Sequence, residues 1–136
     1  MSGYFTENGK GSITPFHAFK AMICFLDNYY RKTSSDDLGS LLGNIQLLED
    51  ESGTWDPAAW DDWLTVLQNK SSVTLMDGFK GMYNFLRAYY IRTSCASGEI
   101  REILDAMTIS EQEGLLSSSM WHRWAKCVQK IVCEYE

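Results

Sequence analysis

Between residues 19 and 30 the apolar side chains Phe19, Met22, Ile23, Leu26, Tyr29 and Tyr30 recur at three- and four-residue spacing. That period places them on one stripe of an amphipathic helix. Leu38, Leu41, Leu42, Ile45 and Leu48 keep the same spacing and predict a second helix. "SSDD" ahead of it supplies cap candidates, and carboxylates suit the positive end of the helix dipole. A third helix is predicted from Pro57. Asp56 can cap it, and a proline in the first helical position forfeits no hydrogen bond. Trp60, Trp63, Leu64 and Leu67 then share a face. Met82, Phe85, Leu86, Tyr89 and Tyr90 predict a fourth helix, and Ile100, Ile103, Leu104 and Met107 a fifth. Trp121, Trp124, Ala125, Val128, Ile131 and Val132 predict a sixth. No convincing period-two run appears, so the expected class is all-α.

The pattern is also written twice. "FKAMICFLDNYY" at 19–30 returns as "FKGMYNFLRAYY" at 79–90. Over 14–34 against 74–94 ten of twenty-one positions are identical, from Thr14/Thr74 to Ser34/Ser94. Ordinary residue usage gives about one or two. "WDDWL" at 60–64 corresponds to "WHRWA" at 121–125. The chain reads as an internal duplication of a three-helix unit, 14–70 and 74–133, behind a polar, Gly-rich and flexible segment 1–13. A unit of this size is marginal alone. Two fused copies can bury their stripes against each other as a single domain, 1–136, with pseudo-two-fold symmetry. Gly39 and Gly43 on one face of the second helix allow close helix approach, at ~1 kcal/mol each in helix propensity.

Hydrophobic residues make up 45% of the chain and aromatic residues 13%, ample for a packed interior. No stretch approaches ~18 uninterrupted apolar residues, which argues against a membrane span. The start lacks the basic-then-apolar layout of a signal peptide, so the expected location is cytoplasmic. A net charge of −6 argues against a nucleic-acid binder. Cys24, Cys95, Cys127 and Cys133 form no CxxC pair, and neither histidine stands at ligand spacing from them. Free thiols are expected, Cys24 and Cys127 on apolar helix faces, with no metal and no cofactor.

Charge is distributed unevenly. From Thr33 to Asn69 there is no Lys or Arg, while Asp36, Asp37, Glu49, Asp50, Glu51, Asp56, Asp61 and Asp62 all fall there. Residues 1–70 sum to −5 and residues 71–136 to −1. Such a face can be simple solvation. "EDESGTWD" lacks the twelve-residue pattern of a calcium loop. The remaining reading is an electrostatic docking surface for a basic partner. Catalytic patterns are thin. His17 and His122 are the only histidines, and there is no nucleophile elbow, phosphate-binding Gly loop or HExxH. Neighbours such as Asp61 and Asp62 diverge by about 100° on a helix, poor geometry for an acid/base pair. The expectation is a protein that is not an enzyme. WxxW recurs in both copies and reads as core. Trp55, without a counterpart in the second copy, is either a staple at the helix start or an exposed anchor.

"SDDLGSLLG" and "DPAAWDDWL", within residues 16–67, resemble a small bacterial family of immunity proteins that accompany contact-dependent growth-inhibition and related polymorphic toxins. The second copy keeps the helix pattern but replaces both motifs with "SCASGEIREIL" and "SSSMWHRWA". The resemblance implies a cytosolic, catalytically inert binder that neutralises a cognate toxin domain, commonly a nuclease, by covering its basic active-site cleft. It directs attention to Asp36, Asp37, Glu49, Asp50, Glu51, Trp55, Asp61 and Asp62 as partner-binding residues, on a monomer or weak homodimer. The alternative is a non-enzymatic helical adaptor that binds another protein.

Overall fold

The structure, a computed structural model, describes residues 12–34, 36–50, 52–93 and 98–134. Among these it is all-helical: α1 (Pro15–Thr33), α2 (Asp36–Asn44), α3 (Pro57–Val66), α4 (Leu75–Arg92), α5 (Gly98–Gly114) and α6 (Ser119–Glu134), with a single 3-10 turn at Leu115–Ser117. Two isolated antiparallel bridges, Ile13 with Val73 and Leu47 with Thr54, are the only extended pairings among the described residues.

Local chemistry sets the helix starts. Thr14 caps α1 by accepting from the His17 N–H at 3.1 Å, with Pro15 following. Asp56 caps α3 by accepting from the Ala58 N–H at 3.1 Å, and Pro57 follows as the sequence predicts. Thr74 opens α4 through a capping box. Its hydroxyl accepts from the Asp77 N–H at 3.0 Å while the Asp77 carboxylate accepts from the Thr74 N–H at 3.4 Å. At the far end of α1, Ser34 takes a left-handed backbone, φ 51°, and its N–H closes on the Tyr30 carbonyl.

The second helix is shorter than its apolar spacing predicts, ending at Asn44 rather than running to Leu48. Gly43 and Asn44 weaken it, and the chain then finds an alternative set of bonds. Trp55 N–H donates to the Gln46 carbonyl at 2.8 Å and Leu48 N–H to the Gly53 carbonyl at 2.9 Å. At the tip, the Ser52 N–H and hydroxyl both bond one oxygen of Asp50, at 3.1 and 2.7 Å. The glycine expectation needs a similar correction. A Cβ on Gly39 meets the Tyr30 ring of α1 at 3.2 Å, whereas one on Gly43 meets nothing within 4 Å. Only Gly39 serves a close approach. Ile13, which the pattern assigns to the flexible leading segment, is buried and doubly bonded to Val73; residues 1–11 of that segment lie outside the described residues.

One apolar core runs through all six helices. α1 packs most extensively on α6, α3 packs on α4, and α2 meets α5. The second indole of each WxxW motif donates to a backbone carbonyl in the same way. Trp63 Nε1 donates to the Pro15 carbonyl at 2.9 Å, and Trp124 Nε1 to the Leu75 carbonyl at 3.0 Å. Each bond joins the last helix of a half to the first turn of that half's first helix. A buried indole needs such a partner, because an orphaned N–H costs more than the bond gains. Around Trp63, Phe19 and Phe85 stand edge-on at 5.4 and 5.9 Å.

Candidate docking surface

The carboxylates that the sequence assigns to partner binding fall in four places. Asp36 and Asp37 are exposed in the first turn of α2, where the helix dipole favours them. Glu49 and Asp50 are exposed at the tip of the bridged loop, and Glu51 lies outside the described residues. Asp61 is exposed on α3. Asp62, one residue on, turns toward α4 instead.

Of the two roles the sequence leaves open for Trp55, the structure removes the staple. Trp55 is 70% exposed, the most exposed large apolar side chain among the described residues. A staple would bury it against Trp60, but Trp60 packs instead on Gly53, 3.3 Å from the position of an added Cβ, and edge-on to Phe19 at 5.6 Å. The backbone beneath Trp55 is fixed by its bond to Gln46 and by the neighbouring Leu47–Thr54 bridge. A large indole is thus held out on a braced loop immediately before the Asp56 cap.

Beside it lies a cavity of about 270 Å³ between α2, α3 and α4. Leu41, Ile45, Ala59 and Phe85 form its apolar walls, and Asp56, Asp62, Tyr89 and Arg92 supply polar groups. Here the sequence-based assignment is incomplete. Asp62 is not a spare carboxylate: it pairs with Arg92 at 2.9 Å. The guanidinium carbon of Arg92 also stands 5.9 Å from the centre of the Tyr89 ring. A cation from the second half therefore neutralises part of the acidic stretch in the first. The contribution of Phe85, Tyr89 and Arg92 was hidden in the sequence because they lie on a helix of the other half, with no local signal tying Arg92 to Asp62.

Asp50 is perturbed electrostatically. The Ser52 hydroxyl, and then the Ser52 N–H, stabilise the carboxylate and hold Asp50 below the usual range. His17 lies in the first turn of α1 and His122 is exposed near the start of α6. Among the described residues no group of three or more His, Cys, Asp or Glu side chains comes together to hold a metal ion, and no helix is long and apolar enough to cross a membrane. Comparison with protein-family models, curated proteins and solved structures finds no match to this chain.

Proposed function

We propose that the protein is a catalytically inert, cytoplasmic immunity protein that binds a cognate bacterial toxin domain and covers its basic cleft with the face formed by α2, the bridged loop and α3. The observation that carries this reading is Trp55, an exposed indole on a braced backbone, surrounded in sequence by carboxylates with no intervening Lys or Arg. Interfaces that associate fast and hold tightly combine charge steering with a desolvated aromatic anchor. Asp36, Asp37, Glu49, Asp50 and Asp61 supply the steering charge, whereas Asp62 is engaged by Arg92 and serves the cavity wall. The recurring Thr caps and Trp-to-carbonyl bonds, and the reciprocal packing of α1 on α6 and α3 on α4, support an origin in duplication of a three-helix unit with approximate two-fold symmetry.

The test starts with the tagged chain as bait in native lysate, with mass spectrometry of what it retains. The expected catch is a stoichiometric basic toxin domain that survives moderate salt. Against that domain, Trp55→Ala should lower affinity by about 2 kcal/mol, roughly thirtyfold. Asp36→Lys, Asp37→Lys and Asp61→Lys should slow association and flatten its salt dependence. Unchanged affinity and unchanged protection of cells in all four variants would sink the surface assignment.

A further inference from the structure

Cys24 and Cys127 stand on α1 and α6, the most extensive helix pair in the protein. The two helices run antiparallel. Tyr29 of α1 meets Met120 early in α6, OH to Sδ 3.5 Å, while Lys130 and Glu134, late in α6, lie near Cys24. Between these points the Cys127 sulfur faces α1 directly, 3.8 Å from Asn28 Nδ2. Cys24 is one helical turn before Asn28 and therefore on the same face. Phe25, next to Cys24, packs on Trp124 with ring centroids 6.5 Å apart, and this register sets Cys24 opposite Cys127, near enough for each thiol to shift the other's acidity. Both are free thiols; Cys24 is half-buried and Cys127 buried.

We propose that Cys24 and Cys127 form an oxidation site, at which a peroxide converts the thiol pair to a disulfide that fastens α1 to α6. The partly exposed thiol is attacked first. The Cys24 thiolate takes the terminal oxygen of hydrogen peroxide, the O–O bond breaks, and hydroxide leaves and is protonated to water. The product is Cys24 sulfenic acid. The Cys127 sulfur then attacks the Cys24 sulfur, the S–O bond breaks, and the departing hydroxide takes the Cys127 proton as a second water. Two thiols lose two electrons and one peroxide gains them.

The surroundings suit this order. The hydrogen bond from Cys127, assisted by the Lys130 ammonium, brings the Cys24 thiol down to about 7 against the opposing effects of burial, Asp27 and Glu134. Cys127 moves the opposite way, because it holds its proton in that bond and is buried. A low, accessible thiol beside a protonated buried one is the arrangement of an attacked and a resolving cysteine. None of the residues of the docking surface takes part.

The test uses the full-length chain carrying Cys95→Ser and Cys133→Ser, titrated with hydrogen peroxide and followed by intact mass and non-reducing peptide mapping. The expected product has lost the mass of two hydrogens and links the peptides containing Cys24 and Cys127. Because the bridge closes a loop of about 100 residues, the thermal midpoint should rise by about 10 °C or more, reversed by dithiothreitol. In a further Cys127→Ser variant, oxidation should stop at a sulfenic acid on Cys24 that dimedone traps. The same mapping on the unsubstituted chain gives the linkage if the serine variants fold poorly. Oxygen adducts on Cys24 with Cys127 still a thiol, or both thiols intact after millimolar peroxide, overturn the proposal.

Discussion

Alanine in place of Gly78 tests the packing of α4 against α6. Two effects of opposite sign meet at this position. Removing a glycine from a helix gains up to ~1 kcal/mol, since the unfolded chain loses conformational freedom. Yet the new methyl carbon would stand 2.8 Å from Cζ2 of Trp124, where ordinary contact begins at 3.4 Å. Trp124 has little room to retreat. It is fully buried, its Nε1 is bonded to the Leu75 carbonyl on the first turn of α4 itself, and Phe25 stands against its ring. Overpacking a rigid site costs ~1–3 kcal/mol, and this one belongs near the upper end. The net expectation is a loss of ~2 kcal/mol, or a thermal midpoint lower by about 6–10 °C for a chain of this length. Urea unfolding followed by circular dichroism should show a lower midpoint at unchanged slope. Gly43→Ala is the control, because nothing lies within 4 Å of its added carbon. It should stabilise by up to ~1 kcal/mol. If Gly78→Ala equals or exceeds the wild type in stability, the Trp124 contact does not constrain α4 as argued.

Further expectations concern the caps and the surface charges. Thr74→Ala removes the capping box of α4 and should cost about 1 kcal/mol in urea unfolding. A double-mutant cycle on Asp62 and Arg92 should give a coupling below about 1 kcal/mol that shrinks with added salt, because both side chains are well exposed. Asp50 has a depressed folded pKa, so its contribution to stability is present above the ordinary carboxylate pKa and is lost as pH falls through the lower folded value. Ser52→Ala should return the Asp50 titration, read by carboxyl carbon NMR, toward the ordinary value. Trp55→Ala should leave the unfolding midpoint nearly unchanged, since an exposed side chain that neither caps a helix nor packs in the core changes stability within about 0.5 kcal/mol.

The six helices were legible because each carries a sustained apolar stripe, and the start of α3 because Asp56-Pro57 specifies it chemically. The end of α2 was not. Leu48 continues the helical spacing, but spacing cannot register that Asp50 and Ser52 offer the backbone a competing turn. The Ile13–Val73 bridge involves one residue on each side, too short for any periodicity to betray. At the candidate surface the acidic stretch was plain, but its electrostatics were not. Arg92 reaches Asp62 across thirty residues of chain, and only packing of α3 on α4 brings them together. Conversely, the exposure of Trp55 follows from Trp60 taking the place against Gly53 and Phe19, a choice made by tertiary packing rather than by either tryptophan's neighbours.

The distribution of the five tryptophans has an optical consequence. Trp63, Trp121 and Trp124 are sealed inside and Trp60 is half-covered, so water-relaxed, long-wavelength emission comes predominantly from Trp55. Acrylamide should extinguish that red component and spare the blue one. The nearby carboxylates concentrate cations and repel anions, so caesium should quench it better than iodide at equal ionic strength. The protein thus carries its own dye on the face proposed to dock, and a blue shift on adding a partner would report the moment that face goes dry.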